Sequence, residues 1–487
     1  MARRLPFLLL LAAWPLFLAL QQGDDFDESE HCHVAWMIGR MHEQPMRDFF
    51  QHHQPLLWDL LKTYYLAGGD GPEVLYFGRA LVVGCALLFA LGAYLLARNW
   101  TRGQTGAASP GWFGVVLGVA PVLLMSLALR QSLVIRPETI GLPFVALALA
   151  CWTYPTRARW ATLVRGFLAG VLFGAALYAS PRFAVLAGAF LLLPADRRQL
   201  FSLEIGPLAV AVAGAVLFVF GYHFLMGGRV ADLWFNVEFS SITYKTAAAA
   251  VRPPIRLLVF TGELILVAGW VFLRLDGLGR RRFLVQAVYL LLTTAAALSS
   301  AWPLLYPQNF IAPVILMSVM FACAAGRMET VRMPARRSWA PRWALVVAGV
   351  GLLLMLHDVV VRESIVARVQ HKHDMLALLR PGERVLLAAA FHPICALDAT
   401  YYINPIVDDD DHWGKAVAVA QRRHWALPDC DYLGDVLAQK PVLVDDYLIR
   451  AMPEADRARY RAVLDREYTE ATPFSSSHHC YRRTVNP

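Results

Sequence analysis

The sequence has few charged residues for its length. Aspartate, glutamate, lysine and arginine make up 17% of the 487 residues, whereas 57% are hydrophobic, and the mean hydropathy is +0.45. A soluble globular domain carries about 25% charged residues, so this shortage of charge excludes a soluble enzyme of this length. We therefore predict a polytopic α-helical membrane protein.

Two patterns that would indicate other functions are absent: a nucleic-acid-binding footprint, and a cysteine spacing that identifies disulfide partners. The net charge is +8, but most arginines fall in short loops between apolar runs, where membrane topology accounts for them, so we predict no nucleic-acid partner. The seven cysteines show no spacing that dictates disulfide partners. Cys85, Cys151 and Cys323 lie within apolar runs; for the four outside those runs, a disulfide stays open.

Long apolar runs fill most of the first 361 residues. A helix needs about 20 residues to cross roughly 30 Å of hydrocarbon, and about eleven runs approach that length. We predict a catalytic helical bundle over 1–361 with about eleven spans. The runs lie at about 5–21, 75–97, 111–129, 139–153, 165–180, 182–194, 204–226, 256–274, 283–301, 308–326 and 343–361.

The orientation follows from the arginines. They collect in alternate loops, such as 280–282, and the positive-inside rule places those loops and the N-terminus in the cytoplasm. No cleavage site of small residues follows the first apolar run, so we predict an uncleaved signal anchor. With an odd number of spans, the long loops 22–74 and 227–256 and the tail 362–487 lie outside. We predict a multi-pass protein of the bacterial inner membrane with a periplasmic tail.

The tail 362–487 is more polar than the bundle. Helical spacing covers 364–379 and 453–468, and a proline opens the second of these stretches. Short strands are predicted within 383–390, 401–407 and 440–448. We predict a small external α/β domain.

An acidic cluster follows the first apolar run. The segment "DDFDESEHCHVAW", residues 24–36, contains five carboxylates and two histidines. Such charges repel one another and lose solvation free energy if they are buried. Two interpretations stay open: a solvated acidic loop, or a carboxylate held at the membrane surface for chemistry. Val34, Met37, Ile38 and Met41 repeat at helical spacing, which predicts a surface helix.

A second motif, "DFFQHHQPLLW" at 48–58, combines aromatic, basic and proline residues. An Asp-Glu pair after the first span, a surface helix and such a segment resemble the polyprenyl-phosphate-dependent GT-C glycosyltransferases. The resemblance is to the group with the protein O-mannosyltransferases and the lipid A aminoarabinose transferase. It places Asp27 and Glu28 on the acidic pair, and His53 and Gln54 where that group has Lys-Pro.

The resemblance extends along the bundle and into the tail. "LYASPRFAVLAGAFLLLP" places Arg182 on a basic position, and "LYPQNFIAPVIL" places Gln308 where a basic or aromatic residue is more common. The resemblance implies an inverting hexosyl- or pentosyltransferase that moves a sugar from a polyprenyl phosphate to an acceptor hydroxyl on the outer face. The implied partners are the donor, membrane lipids, and a glycolipid, polysaccharide or protein acceptor.

Such a transfer needs a base beside the acceptor hydroxyl and cationic or hydrogen-bonding groups at the leaving phosphate. Asp27 is the candidate general base, with Glu28 beside it as the second catalytic candidate. Arg136 and Arg182 are candidate phosphate ligands, although snorkelling of an arginine at a helix end explains the same positions. Glu138 is the predicted partner of Arg136. The remaining candidate substrate-binding residues are His52, His53 and Gln308.

Other interpretations of the same residues stay open. The predicted chemistry requires no cofactor and no metal, but the carboxylates and histidines of the first outer loop could instead hold Zn²⁺ or Mn²⁺. His31 and His33 are two residues apart, which points them in different directions on a helix. A polytopic transporter or lipid flippase of cell-envelope glycolipids is the alternative function. A non-catalytic scaffold that binds a glycolipid or peptide is a third.

Overall fold

Helices dominate the part of the chain that the computed structural model describes. The described residues are 19–21, 26–45, 47–49, 51, 53–105, 133–156, 158–193, 204–235, 268–269, 271–273, 275, 277–301, 315–317, 319–321, 324, 364–387, 392–399, 421–422, 432–446, 449, 454–475 and 478–484.

The α-helices follow one another along most of these ranges. A π-helical turn at Met37–Met41 continues α1, and a 3₁₀ turn at Pro181–Leu186 precedes α6. The helices are α1 (Phe26–Trp36), α2 (Leu56–Leu66), α3 (Val74–Thr105), α4 (Pro137–Trp152), α5 (Arg159–Ala179), α6 (Ala189–Leu192), α7 (Ile205–Leu225), α8 (Gly277–Ala301), α9 (Ile365–Ala377), α10 (Tyr432–Gln439) and α11 (Glu454–Glu467).

Three helices of the described residues are long and apolar enough to cross a membrane. They are Val74–Leu96 within α3, α5 and α7. These helices correspond to the predicted runs 75–97, 165–180 and 204–226, and the run 283–301 lies inside α8.

Two predicted spans differ from the structure. The run 139–153 coincides with α4, which has 16 residues and is therefore only about 24 Å long. The run 182–194 is not one helix, because a 3₁₀ turn ends at Leu186 before α6 begins, and 3₁₀ turns are rarely long. The other runs lie wholly or largely outside the described residues, so the count of about eleven spans stays a prediction.

The chain divides into two compact units. The first unit comprises Met1–Ala19, Ala80–Arg229 and Ala248–Val361, and the second comprises Leu20–Arg79, Val230–Ala247 and Arg362–Pro487. The second unit therefore contains the whole predicted outer loop 22–74, part of the predicted outer loop 227–256, and the tail. The catalytic role of 1–361 and the external location of 362–487 stay predictions.

Close packing of α5 on α7 is a central feature of the first unit. Gly166, Gly170 and Gly174 recur at every fourth position of α5, and each lies against the backbone of α7. A Cβ atom at Gly170 would overlap the carbonyl group of Ala211. Small residues at this spacing allow two helix backbones to approach closely.

The ends of α4 and α5 position the polar residues of the first unit. Arg136 is the extended N-cap residue of α4, and Pro137 is its first residue. Glu138 lies in the first turn of α4, where a negative charge is favoured by the helix dipole. After α5 ends at Ala179, the 3₁₀ turn carries Arg182.

A mixed five-stranded sheet lies in the second unit, in the order β2-β1-β3-β5-β4. Strand β1 is parallel to β2 and to the central β3, whereas β5 is antiparallel to β3 and β4. The strands are β1 (Arg384–Leu386), β2 (Leu397–Asp398), β3 (Leu443–Asp445), β4 (Tyr468–Ser475) and β5 (His478–Arg483).

The elements of the tail agree in part with the predicted ones. The helices predicted over 364–379 and 453–468 are confirmed by α9 and α11. Within the strands predicted at 383–390 and 440–448 lie β1 and β3. The strand predicted at 401–407 lies outside the described residues, and the β4–β5 hairpin was not predicted.

Candidate functional site

The acidic pair of the sequence lies in the first turn of α1. Carboxylates are favoured there because the N-terminus of a helix carries a partial positive charge. Asp27 is partly exposed, whereas Glu28 is fully buried and accepts a hydrogen bond of 2.6 Å from a guanidinium nitrogen of Arg79. Glu30 is also buried, so the alternative of a solvated acidic loop is wrong for Glu28 and Glu30.

Polar contacts join α1 to α2 and to the segment before it. Gln51 donates a 2.6 Å hydrogen bond to Glu30, and the Trp58 indole donates to Nδ1 of His31 at 3.1 Å. The rings of His31 and His53 have centroids 5.1 Å apart. The structure therefore brings the predicted substrate-binding residue His53 to the same helix as the acidic pair.

His33 points to a different part of the second unit from His31. Its Nε2 atom lies 2.5 Å from Oδ2 of Asp398, and Nε2 of His392 lies 2.7 Å from Oδ1 of the same carboxylate. Different directions for His31 and His33 were predicted, and the structure confirms this. Neither His392 nor Asp398 was predicted as a partner of His33. Both lie more than 300 positions from His33, so no local sequence pattern indicates the contact.

Electrostatics within this cluster favour an ionised Asp398 and a neutral His392. Burial, together with the nearby His33, lowers the pKa of His392 from 6.5 to about 4. Burial alone would raise the pKa of Asp398, but His33 and His392 outweigh it and hold that pKa well below its usual value. The cluster therefore keeps a buried carboxylate between two imidazole rings.

The same three residues have the composition of a cation site. Their ligand atoms all lie within 4.8 Å of one another, and imidazole with carboxylate suits zinc or manganese. However, Nδ1 of His392 accepts a 3.0 Å hydrogen bond from the backbone N–H of Ile394. The neutral ring then carries its proton on Nε2, the atom that would have to bind the metal. The hydrogen bonds thus fit an ion pair better than a metal centre.

A second group of predicted site residues lies in the first unit. Arg182 donates a 2.6 Å hydrogen bond to Glu138, and the Ser180 hydroxyl lies 3.4 Å from the same carboxylate oxygen. The snorkelling interpretation of Arg182 is incomplete, because its guanidinium is paired with a buried carboxylate. The structure shows an ion pair of Glu138 with Arg182; the predicted pairing of Glu138 with Arg136 stays a prediction. Arg136 itself is buried at the start of α4.

Two predicted site residues, His52 and Gln308, lie outside the described residues. The roles predicted for Asp27, Glu28, His53, Arg136 and Arg182 stay predictions.

Comparison with known proteins gives a match in structure. The sequence matches no protein-family model and no curated protein. Among solved structures, ArnT from Cupriavidus metallidurans bound to undecaprenyl phosphate has a TM-score of 0.60 over 99% of this chain and 98% of its own, at 12% identity. The apo form of that ArnT has a TM-score of 0.61 over 98% of each chain, at 11% identity.

The chain has an ArnT-like fold. ArnT is a lipid A aminoarabinose transferase and a GT-C enzyme, which confirms the family resemblance of the sequence at the level of the fold. The ArnT-like fold and the apolar helices together indicate an integral membrane protein.

Proposed function

We propose that this chain is a membrane glycosyltransferase that moves a sugar from a polyprenyl phosphate to an acceptor hydroxyl. The transfer takes place on the outer face of the membrane that the protein spans. One observation carries the proposal: nearly the whole chain superposes on ArnT that was solved with undecaprenyl phosphate. The acidic pair, predicted from the sequence alone, lies at the start of α1 in that fold.

Asp27 is the proposed general base. It is partly exposed, so that an acceptor can reach it, whereas Glu28 is buried against Arg79. Asp27 takes the hydroxyl proton of the acceptor as its oxygen attacks the anomeric carbon. The bond from that carbon to the phosphate oxygen breaks, and polyprenyl phosphate leaves with the electron pair. Attack opposite the leaving group inverts the anomeric centre. Glu28 is assigned to holding α1 in place.

Arg182 is the proposed ligand of the donor phosphate. A guanidinium has five N–H donors and can serve a carboxylate and a phosphate together. Its pairing with Glu138 fixes its direction while 29% of the side chain stays exposed. Arg136 is a second phosphate candidate, and His52, His53 and Gln308 are proposed to contact phosphate or sugar. This chemistry requires no cofactor, so transfer should persist in EDTA.

The proposal is tested with purified protein in liposomes. Undecaprenyl phosphate carrying radiolabelled aminoarabinose, or another labelled pentose or hexose, is supplied with lipid A, polysaccharide or peptide acceptors. Label on an acceptor, with release of undecaprenyl phosphate, supports the transferase. A flippase would instead move the intact donor between leaflets without breaking the sugar–phosphate bond. A scaffold would bind without turnover.

The external location of the tail is part of the same proposal. Asp456 lies in the first turn of α11, and an Asp456→Cys variant offers a thiol there. A membrane-impermeant maleimide should label it in intact spheroplasts. Labelling only after lysis would place the tail in the cytoplasm and contradict an odd number of spans.

A further inference from the structure

The cluster of His33, His392 and Asp398 is not used by the proposed transfer reaction. Both histidine side chains are fully buried, and the Asp398 side chain is 9% exposed. His33 belongs to α1, whereas Asp398 ends β2. The cluster thus joins the helix that carries Asp27 to the sheet of the same unit.

The hydrogen bonds fix where the protons lie. Nδ1 of His33 is 2.5 Å from the carbonyl oxygen of Ile394, and Nε2 is 2.5 Å from the Asp398 carboxylate. A carbonyl oxygen and an ionised carboxylate both accept, so this geometry favours hydrogen on both ring nitrogens of His33. His392 is neutral, since its Nδ1 atom accepts from Ile394 N–H. The cluster therefore consists of one cation, one anion and one neutral ring.

The backbone of Ile394 shows that this arrangement is tightly determined. Ile394 donates its N–H to His392 and accepts from His33 through its carbonyl group. It does so at φ 72°, a left-handed conformation that is an outlier for a β-branched residue. Such strain persists only where the surroundings impose it, and it concentrates at functional sites.

Other charged groups of the described residues surround the cluster. Lys372 donates to the carbonyl oxygen of His392 at 2.9 Å, and Arg384 donates to that of Asp398 at 2.8 Å. Burial, Asp48 and Asp398 raise the pKa of Glu43. Neither cation bonds the Asp398 carboxylate in these contacts, which leaves His33 as its cationic partner.

We propose that protonated His33, paired with Asp398, is a positioning residue that fixes α1 and thereby the direction of Asp27. His33 lies six positions after Asp27, less than two helical turns away. A displacement of about 1 Å can reduce catalysis about 10²-fold. This part of the inference rests on the proposed function, whereas the protonation state of His33 does not.

The Asp398→Asn variant separates a protonated from a neutral His33. Its amide can accept from His392 and donate to Nε2 of His33, which satisfies the network only when His33 is neutral. The wild type therefore binds one more proton in the folded state than this variant. The melting temperature of the wild type minus that of Asp398→Asn should therefore be larger at pH 6 than at pH 8. His373→Gln is the matched control, because His373 pairs with Glu73 in the same unit but is 42% exposed.

The positioning role is tested with His33→Gln in the full chain. We expect its turnover number for sugar transfer to fall, by up to about 10²-fold, while the KM for donor stays within about twofold of wild type. His373→Gln should change neither quantity. If His33→Gln does not accumulate, the kinetics of Asp398→Asn at pH 6 and pH 8 decide: its turnover should approach that of the wild type only at pH 8.

Three results would overturn the inference. The first is a melting-temperature difference that stays level or rises with pH, because His33 would then not be the protonated group. The second is one equivalent of zinc or manganese that copurifies with wild type and is lost in His33→Gln. The third is wild-type turnover in His33→Gln despite a lower melting temperature. If wild type transfers no sugar, the proposed function fails, but the melting curves still report the protonation of His33.

Discussion

The two units each contain an arginine–glutamate pair at an N···O distance of 2.6 Å, but the pairs differ in burial. In the second unit, Arg79 and Glu28 are 1% and 0% exposed. In the first unit, Glu138 is 6% exposed and Arg182 is 29% exposed. A fully buried charge has lost its solvation and depends on its partner. A partly exposed guanidinium still contacts solvent, and it can therefore also contact an anionic ligand.

The comparison shows why the same pair of residue types is assigned two roles. In the proposed mechanism, Arg79 and Glu28 hold the start of α1 in place, whereas Glu138 orients Arg182 toward the donor phosphate. Exposure distinguishes the two roles, since chemistry and distance are the same. The same criterion separates Asp27, which is partly exposed, from its neighbour Glu28.

The largest effect is expected for Asp27→Asn, which tests the exposed carboxylate beside the buried pair. The variant keeps the size of the side chain but loses its basicity, so transfer should fall by about 10²–10⁴-fold. Rates are compared at matched membrane levels, with Asp24→Asn and Asp25→Asn as controls that should remain active. If Asp27→Asn transfers sugar at a near-normal rate while Asp24→Asn or Asp25→Asn is inactive, Asp27 is not the base.

The next largest effect is expected for Arg79→Gln, which breaks the buried pair. The unpaired Glu28 carboxylate should destabilise the protein by about 3–5 kcal/mol. Arg40→Gln is the matched control, because Arg40 is 37% exposed and lies 4.0 Å from Asp70, a surface pair worth at most about 1 kcal/mol. Denaturant unfolding in detergent measures both. Equal losses would show that burial does not distinguish these pairs.

A smaller effect is expected when the pH is lowered. The resulting loss of stability should be confined to the second unit, which contains His392. His392 has a pKa of about 4 when folded and about 6.5 when unfolded. The unfolded chain therefore takes up a proton first, so the contribution of His392 to stability is fully present above pH 6.5 and is lost as the pH decreases toward 4. The loss is up to about 3 kcal/mol.

Hydrogen exchange of 392–399 between pH 4.5 and pH 7.5, corrected for intrinsic rates, measures this loss, with α5 of the first unit as the internal control. His392→Gln should flatten the pH dependence. Exchange that is equally slow at both pH values would contradict the lowered pKa of His392.

The smallest effect is expected for Arg182→Gln. If Arg182 contacts the donor phosphate, kcat/KM for the lipid donor should fall about tenfold or more, through both a higher KM and a lower kcat. Stability should fall less than in Arg79→Gln, because Arg182 is partly exposed although Glu138 is buried. The control is Arg159→Gln, an exposed arginine at the start of α5. Unchanged donor kinetics would limit Arg182 to its pairing with Glu138.

Several features of the fold could be predicted from local sequence. Apolar runs of the right length predicted α3, α5 and α7, because membrane spans are selected by length and hydropathy alone. Helical periodicity predicted α9 and α11. The β4–β5 hairpin was missed, since "YTEATPFSSSHHCYRR" shows little alternation of apolar and polar residues. The broken run 182–194 was missed because hydropathy does not report a 3₁₀ turn.

By itself, the sequence determined the membrane class and several helices, and it singled out the acidic pair Asp27 and Glu28. These depend on neighbours within a few residues, where composition and periodicity are informative. The tertiary structure decided which charges are buried and with whom they pair. Glu138 meets Arg182 across 44 positions, Glu28 meets Arg79 across 51, and His33 meets Asp398 across 365. Such pairs form only when packing brings distant segments together, and no local pattern encodes that packing.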